Sequence, residues 1–339
     1  MNLKVAIVGC GAISSNHADA LTKDEHVNLV CVCDINKERA AKVADKYKCR
    51  YYTDYSRMLK NEEIDVVHIC TPHYLHASMS IEAMKSGKHV LTEKPMAISV
   101  SDAQSMIRVS KETGKRLGVC FQNRYNATSV RIKETIESGE AGKVIGAKGL
   151  VTWHRDAAYY TNSGWRGSFK TEGGGVLINQ SIHTLDLLQW FLGDIDSIKG
   201  SSDTRLLEDA IEVEDTAEAT IKLCNGASAI FYATNCYATD SPVEIEILCE
   251  KAVLYLKDDL TIKYKNGEST YVTDADKATG EKSYWGSGHK LLINDFYTKL
   301  INGTKFSIDG EQGITAIKLI HAIYASEKKK QYVKLSSIN

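Results

Sequence analysis

The first fourteen residues constrain the fold more than any other stretch of the chain. An apolar run, LKVAIV, is followed by Gly9-Cys10-Gly11 and then by residues typical of a helix start from Ala12. A strand with so little polar alternation is typical of a parallel strand covered on both faces. Glycines let the backbone approach a pyrophosphate closely, and the helix directs its free N–H groups at that anion. With the small Ser14 at the third glycine position, the stretch predicts a dinucleotide-binding turn.

An acidic residue at the end of the second apolar run indicates which dinucleotide is bound. The run VNLVCVC ends at Asp34, 23 residues after Gly11. A carboxylate at this strand tip is placed to bind both ribose hydroxyls of NAD and would repel the 2′-phosphate of NADP. The alternative interpretation is a helix N-cap, because the segment after Asp34 looks helical. Lys37 and Arg39 lie close by and could partly restore NADP binding, so NAD is predicted and NADP stays open.

Strands and helices alternate up to about residue 124. The strand segments EIDVVHICTP, KHVLTEKP and KRLGVCFQNRY are separated by the helical segments HASMSIEAMKSG and SDAQSMIRVSKETG. This alternation predicts a parallel, doubly wound sheet with right-handed crossovers, whose ligands bind at the carboxyl ends of the strands. Thr71, Glu93-Lys94-Pro95 and Gln122 to Tyr125 are therefore expected at one edge of the sheet.

The pattern changes after residue 124. Segments such as IGAKGLVTW, EDTAEATIKL, ASAIFYATNCYA, VEIEILCE, AVLYLK and LTIKYK look like successive strands, and Asn225-Gly226 is a strong hairpin signal. We predict two domains: an α/β Rossmann domain over residues 1–124, and an α+β domain over 125–339 with a mostly antiparallel open sheet. The C-terminal helix of the second domain is expected to be able to pack back on the first.

A mostly apolar segment, EGGGVLINQSIHTLDLLQWFLG, carries a stripe of polar residues. The pattern predicts a buried helix from about Val176 to Leu192, on which Asn179, His183 and Asp186 share one face. Buried polar groups cost about 1–3 kcal/mol each when unpaired, so the stripe needs partners or a function. One interpretation is a hydrogen-bond ladder in which Asp186 holds His183. The presence of a second ionisable group, Lys94, favours a catalytic role for His183.

Composition excludes several classes of function. Lys plus Arg number 42 and Asp plus Glu 43, and this net charge of −1 argues against nucleic-acid and anionic-membrane partners. Apolar runs fall short of the ~20 residues that cross a bilayer, and the N-terminus is predicted to be a strand and not a signal peptide. The nine cysteines include no C-x-x-C pair, which disfavours a metal or thiol-redox site and indicates a reducing cytoplasm.

Taken together, the motifs resemble the Gfo/Idh/MocA family of glucose–fructose oxidoreductases and inositol dehydrogenases. They are GCGAISSNHADAL, Asp34, TPHYLH, EKP, FQNRY and GGGVLINQSIHTLDLL, and they run through nearly the whole chain. The familiar inositol dehydrogenase pattern has an aspartate where this chain has Asn179, and the family usually has an asparagine at His73. The sequence NQSIH is more similar to the branch that includes UDP-linked amino-sugar and uronic-acid 3-dehydrogenases.

The resemblance implies a nicotinamide-dependent sugar dehydrogenase that forms a homodimer or homotetramer through its C-terminal sheet. It implies that Lys94 and His183 are catalytic, supported by Asn179, Asp186 and Glu93. The cofactor residues it implies are Gly9, Gly11, Ala12, Ile13, Asp34, Thr71, Pro72, His73, His76, Glu93, Lys94 and Gln122. Aromatic rings stack on sugars and arginines suit a carboxylate or diphosphate, so the expected substrate residues are Arg124, Tyr125, Trp153, Arg155, Tyr160, Trp165, Arg166 and His289.

The predicted reaction is reversible oxidation of a secondary hydroxyl of a sugar, sugar acid or nucleotide sugar to a ketone. His183 would take the hydroxyl proton, since an imidazole has an ordinary pKa of about 6.5. A charged Lys94 would stabilise the developing alkoxide, and Asp186 would orient His183. Two alternatives remain open: a non-catalytic NAD-binding sensor, and a reductase for a non-sugar substrate.

Overall fold

The computed structural model describes residues 2–273 and 288–339. The chain divides into two compact units. The first unit consists of Met1–Gln122 and His289–Ile314, and the second of Asn123–Gly288 and Thr315–Asn339. The predicted ranges 1–124 and 125–339 place residues 289–314 with the second domain, whereas in the structure they belong to the first unit.

The first unit is built on a six-stranded parallel sheet. Its strand order, β3-β2-β1-β4-β5-β6, confirms the predicted doubly wound topology. The strands are β1 (Leu3–Val8), β2 (Val27–Cys33), β3 (Arg50–Tyr52), β4 (Val66–Ile69), β5 (His89–Thr92) and β6 (Leu117–Val119). The helices between them are α1 (Ser14–Leu21), α2 (Lys37–Tyr47), α3 (Tyr55–Asn61), α4 (His73–Lys85) and α5 (Val100–Thr113).

Helix α9 (Gly288–Ile301) completes the first unit from far along the chain. Its Phe296 lies against Gly118 in β6, where an added Cβ would come within 2.9 Å of the Phe296 ring. Gly118 also forms an antiparallel bridge with Asp309. The end of the parallel sheet is therefore covered by residues that follow it by some 180 positions.

The second unit contains a nine-stranded sheet in the order β14-β13-β12-β11-β7-β10-β9-β8-β15. Among the described pairs of strands in it, β7 and β10 are parallel and the others antiparallel, which confirms the predicted sheet type. The strands are β7 (Val144–Thr152), β8 (Ile195–Asp203), β9 (Thr216–Leu223), β10 (Ser228–Thr234), β11 (Glu244–Cys249), β12 (Ala252–Lys257), β13 (Asp259–Tyr264), β14 (Ser269–Val272) and β15 (Val333–Lys334). The Asn225-Gly226 hairpin is confirmed between β9 and β10.

The helices of the second unit include one that packs tightly on the sheet. They are α6 (Ala127–Glu137), the short α7 (Ala157–Thr161), α8 (Ile182–Leu192) and α10 (Gly310–Lys329), whose first residues belong to the first unit. A Cβ at Gly149 in β7 would lie 2.8 Å from Leu188 and 3.1 Å from Thr184, so the glycine allows α8 to approach the sheet. In the described part of the chain, the helices are too short or too polar to cross a membrane.

Helix α8 begins at Ile182, and the prediction that it begins near Val176 is wrong. The residues before it form turns whose backbone donors point to Glu214. Its carboxylate accepts from the N–H groups of Gly175 (2.9 Å) and Leu177 (3.0 Å), and its carbonyl oxygen accepts from that of Val176 (2.9 Å). Asn179 therefore lies in a turn, and the predicted helical stripe through positions 179, 183 and 186 does not exist.

Candidate active site

The glycine turn after β1 has the features expected of a dinucleotide cradle. Gly9 has a φ of +92°, and a Cβ there would lie 2.4 Å from the Cys70 carbonyl oxygen, so this glycine lets β1 and β4 approach each other. A Cβ on Gly11 would meet open space. Within the described residues, the N–H groups of Ala12 and Ile13 have no protein acceptor. Free N–H groups and open space at a helix start fit a pyrophosphate.

Asp34 lies at the tip of β2 and is not the cap of the following helix. That cap is Asn36, whose side chain accepts from the Arg39 N–H. The buried Asp34 carboxylate accepts from the Cys10 N–H at 2.9 Å and the Asn36 N–H at 2.8 Å, and it pairs with the Arg39 guanidinium at 3.0 Å. Asp34 thus joins the second strand tip to the glycine turn, which is where the adenosine ribose of a bound NAD would need an acceptor.

The loops after β4 and β5 are joined by His76. The Nδ1 of this buried histidine lies 2.6 Å from the Pro95 carbonyl oxygen, and its Nε2 lies 2.7 Å from the Thr71 carbonyl oxygen. Burial lowers the pKa of His76, although the two carbonyl acceptors favour the imidazolium form. His76 therefore holds two loops of the sheet edge together, and its two ring nitrogens face the protein and not a cofactor.

The side-chain hydroxyl of Thr71 is a buried polar group that a bound ligand could hydrogen-bond. In the part of the chain that the structure describes, its buried Oγ1 has no hydrogen-bond partner. Pro72 is the N-cap of α4, and the buried His73 is the first residue of that helix, with its ring 5.8 Å from that of His76. An unpaired buried hydroxyl costs about 1–3 kcal/mol, so the residues at this edge fit the predicted cofactor.

Glu93, Lys94 and Gln122 follow the ends of β5 and β6 on the same edge. Lys94 is half-buried and is joined to Pro95 by a cis peptide bond. The buried Glu93 carboxylate lies 3.0 Å from His17 Nε2 and 3.3 Å from His289 Nε2. His289, one of the predicted substrate residues, is the second residue of α9 and contacts Glu93 in the first unit.

In the second unit, Asn179 is bonded to a carboxyl group. Its side-chain N–H₂ donates to Glu172 Oε1 at 2.5 Å and lies 3.4 Å from the Tyr159 hydroxyl. Glu172 also accepts from the Gly167 N–H at 2.6 Å. Burial raises the pKa of Glu172 to about 7 in spite of these two donors. The aspartate of the inositol-type pattern is thus replaced by an amide that contacts a different carboxyl group.

Two arginines lie over the ring of Tyr159. The guanidinium carbon of Arg166 lies 4.4 Å from the Tyr159 ring centre and 4.8 Å from that of Trp165. Arg155 lies 5.3 Å from Tyr159 and is paired with Asp240 at 2.8 Å. Among the described residues, Arg166 has no ion pair, and its buried Nε has no acceptor. This pair of stacked cations is suited to binding an anionic group.

Three of the predicted substrate residues have hydrogen-bond partners within the protein. The Trp153 indole donates to the Ser241 carbonyl oxygen, and the buried Tyr160 hydroxyl accepts from Asn235 at 2.7 Å. Arg124 makes a buried bidentate pair with Asp186, with N–O distances of 2.8 and 2.6 Å.

The Arg124 pair corrects the role predicted for Asp186. The hydrogen bonds of Asp186 go to Arg124, so this carboxylate does not orient His183. His183 is half-buried in the first turn of α8, and Tyr125 is half-buried at the end of a short 3₁₀ turn.

Three buried residues of these sites were missed in the sequence: His17, Glu172 and Glu214. Glu172 immediately precedes the three glycines, and His17 lies in the helix after the glycine turn, so both are next to recognised motifs. Glu214 is the first residue of the strand-like segment EDTAEATIKL and lies just before β9, but the sequence does not distinguish it from the other acidic residues there. Burial raises the pKa of Glu214 to about 7, although the hydrogen-bond donors around its carboxylate lower that pKa.

Comparison with known proteins identifies the class to which this fold and these loops belong. Residues 3–121 match the model of an oxidoreductase family with an NAD-binding Rossmann fold, and residues 129–255 match the Gfo/Idh/MocA C-terminal domain. The chain therefore belongs to the Gfo/Idh/MocA oxidoreductase family, which confirms the predicted resemblance.

Individual relatives include dehydrogenases of several sugars. The chain is 31% identical to the inositol 2-dehydrogenase of Salmonella paratyphi B over 57% of its length, but this match spans only 56% of that relative. It is 26% identical to the D-glucoside 3-dehydrogenase of Escherichia coli over 98% of this chain and 97% of that one. The WlbA dehydrogenase of Bordetella pertussis, solved with NADH and UDP-GlcNAcA, has a TM-score of 0.86 at 29% identity, covering 98% of this chain and 99% of that one.

Proposed function

We propose that this protein is an NAD-dependent dehydrogenase that oxidises a secondary hydroxyl of an acidic sugar or nucleotide sugar to a ketone. The observation that carries the proposal is the position of Lys94. It lies two residues after the end of β5, on the same sheet edge as the glycine turn and Asp34 in the NAD-binding unit. A bound nicotinamide would accept the hydride, and a cation at this edge is suited to stabilise charge on the substrate oxygen.

We assign the proton transfer to His183. A secondary hydroxyl is a weak acid, so its proton must pass to a placed base as the C–H bond breaks. A neutral imidazole can accept that proton near pH 7. Asn179, four residues earlier, can hydrogen-bond a substrate but cannot take a proton. One group, His183, then acts as the base, and the positive charge of Lys94 is assigned to the developing alkoxide.

The substrate class is proposed from Arg155, Arg166 and Tyr159. Stacked guanidinium groups bind carboxylates and phosphates, and an aromatic ring suits the apolar face of a sugar. The WlbA relative was solved with UDP-GlcNAcA, which carries both a carboxylate and a diphosphate. We therefore expect UDP-linked uronic acids to be better substrates than neutral inositols or glucosides.

The test is a substrate panel with wild type, Lys94→Ala and His183→Ala. We expect wild type to reduce NAD with at least one acidic sugar, and each variant to lose about 100-fold or more in kcat. NAD affinity should stay within a few-fold, since each group serves the transition state more than cofactor binding. Near-normal turnover in either variant would remove that residue from the mechanism, and turnover confined to neutral or non-sugar substrates would contradict the substrate class.

We further propose that the protein is a homo-oligomer, a dimer or tetramer, joined through the nine-stranded sheet, and that it works in the cytoplasm. One face of this sheet carries the exposed apolar side chains Ile230, Leu248 and Tyr271. All nine cysteines are free thiols, including the exposed Cys224, which suits a reducing compartment.

A further inference from the structure

A line of buried side chains in the first unit leads to Glu93. The Tyr297 hydroxyl lies 2.7 Å from His68 Nε2, and His68 Nδ1 lies 2.8 Å from His17 Nδ1. His17 Nε2 then lies 3.0 Å from Glu93 Oε1. All four side chains are buried, so each of these polar atoms depends on its neighbour in the line and not on water.

The protons of this line can be assigned from its two ends. At one end Glu93 is an acceptor, which places a proton on His17 Nε2 and leaves Nδ1 of a neutral His17 as an acceptor. His68 then donates through Nδ1 and accepts through Nε2 from the Tyr297 hydroxyl. Burial, together with the neighbouring His17, holds the pKa of His68 well below its ordinary value, which agrees with a neutral ring. Every donor in the line therefore points towards Glu93.

The line ends on a carboxylate that stays ionised. Burial by itself raises the pKa of Glu93, but the hydrogen bonds from His17 and His289 outweigh it and hold the pKa well below its ordinary range. The thiols of Cys70 and Cys120 also face this carboxylate. Burial raises the pKa of both thiols well above the usual value, so they remain neutral and add no charge.

The other oxygen of Glu93 contacts the backbone of the proposed catalytic lysine. Glu93 Oε2 accepts from the Lys94 N–H at 3.2 Å. On the far side of Lys94, the Pro95 carbonyl oxygen lies 2.6 Å from His76 Nδ1. The backbone of Lys94 is thus held between two buried groups, one of which is itself held by His17.

The same residues also have the arrangement of a metal site. One ligand atom each from His17, Glu93 and His289 lie within 4.8 Å of one another. However, His17 is already bonded through both ring nitrogens, and its proton assignment is complete without an ion. The geometry favours a hydrogen-bonded cluster over a bound metal.

We propose that His17 is a positioning residue which, held by His68 and Tyr297, fixes the Glu93 carboxylate and through it the backbone of Lys94. The inference rests on the proposed function for the role of Lys94. It predicts that loss of the His17 donor misplaces the Lys94 amine without removing it. A misplacement of about 1 Å can lower a rate about 100-fold, while the groups that bind NAD are left intact.

The kinetic test compares His17→Leu with His17→Gln in the full-length protein. Glutamine keeps an N–H near the position of Nε2, whereas leucine removes it. We expect His17→Leu to lose about 10- to 100-fold in kcat with KM for NAD within a few-fold, and His17→Gln to recover most of that loss. His89→Gln is the control, because His89 is half-buried in β5 and outside the line. Equal kcat values for the leucine and glutamine variants would overturn the proposal.

A second measurement is made on the wild-type protein, so it depends neither on turnover nor on whether a variant folds. Nitrogen NMR of the wild-type imidazoles should show the tautomer with the proton on Nε2 in His17 and the tautomer with the proton on Nδ1 in His68. The opposite tautomer in either ring, or one equivalent of tightly bound metal in the purified protein, would overturn the proposal. Absence of turnover with every sugar would instead contradict the proposed function and leave this result standing.

Discussion

At position 179, the contacts in the structure differ from those that the sequence predicts. The sequence places Asn179 four residues before His183, on the same face of the predicted helix. In the structure Asn179 lies in a turn and donates to Glu172 at 2.5 Å. Since burial raises the pKa of Glu172 to about 7, the group that a charge at position 179 would affect most is this carboxyl.

We therefore predict that Asn179→Asp destabilises the protein in a pH-dependent way. Two carboxyl groups at hydrogen-bond distance cannot both ionise without repulsion, so the folded pair binds a proton to higher pH than the unfolded chain does. When the folded state binds more protons, stability falls as pH rises. Thermal unfolding should show near wild-type stability at about pH 5 and a loss of about 1–3 kcal/mol at about pH 8.

The matched control for this prediction is the exchanged pair, Glu172→Gln with Asn179→Asp. It restores an amide donor facing a carboxylate and should recover the stability lost at the higher pH. An Asn179→Asp variant whose stability differs from wild type by the same amount at both pH values would refute the explanation.

Asp34 is the residue on which cofactor choice depends. Its carboxylate faces the glycine turn and also binds Arg39. Asp34→Asn keeps one acceptor but removes the charge and frees the guanidinium for a 2′-phosphate. We expect the ratio of NAD to NADP affinity, measured by fluorescence titration, to fall at least tenfold, which is about 1.4 kcal/mol. In the Arg39→Leu background the change should be smaller, and an unchanged ratio in Asp34→Asn would show that another residue selects the cofactor.

Among the elements, the loop before α8 is the one in which glycine is required for packing. A Cβ on Gly174 would lie 2.1 Å from the Tyr324 hydroxyl, and one on Gly175 would lie 1.9 Å from the Glu214 carbonyl oxygen. Tyr324 in turn donates to the Glu214 carboxylate at 2.9 Å. The glycines thus let the loop lie directly on Glu214, whose carboxylate and carbonyl oxygen bind the loop's backbone.

Gly175→Ala should therefore be strongly destabilising. The clashing atom belongs to the backbone and cannot rotate away, so the loop or the chain at Glu214 must move. We expect a loss of about 3 kcal/mol or more in the free energy of unfolding, measured with denaturant. Gly146→Ala, in β7 with a nearest neighbour at 3.3 Å, is the control and should cost much less. Similar values for the two variants would mean that the loop adjusts freely.

The elements differ in how far the sequence could predict them. The parallel sheet, its ligand-binding edge and the Asn225-Gly226 hairpin follow from local signals of apolar runs and glycines. Strand β3 has three residues, and β15 has two, too few to show a pattern. The start of α8 was misplaced because Glu214, some 40 residues away, binds the turns before it. Contacts of that kind depend on tertiary structure and produce no periodic pattern in the amino-acid sequence.

At the scale of the whole molecule, the nine-stranded sheet carries an exposed row of side chains. The strand register aligns Ile230 with Lys148, and Lys148 with Glu246, on the face opposite the one that Gly149 presents to α8. Ile230 is 61% exposed, and apolar side chains exposed on a sheet face are typical of subunit contacts.

We predict that Ile230→Lys weakens subunit association. A charge in an apolar contact must be desolvated without a partner, which is unfavourable. Sedimentation of the variant should give a smaller mass than wild type at the same concentration. Leu206→Lys, at a position that is 67% exposed outside the sheet, should leave the mass unchanged. A monomeric wild type would contradict the proposed assembly.

Because residues 289–314 belong to the first unit, that unit cannot complete its fold until late in the synthesis of the chain. When Gln122 leaves the ribosome, the parallel sheet is complete, but α9 with Tyr297 and His289 has not yet been made. Roughly 190 more residues are then translated, which takes about 10 to 40 s at ordinary elongation rates. Throughout that interval Gly118 and its neighbours lack their covering helix, and Glu93 lacks one of its two histidines. We therefore expect the nascent first unit to expose apolar surface until α9 is made, and a fragment that ends at Gln122 to be less stable than the whole unit.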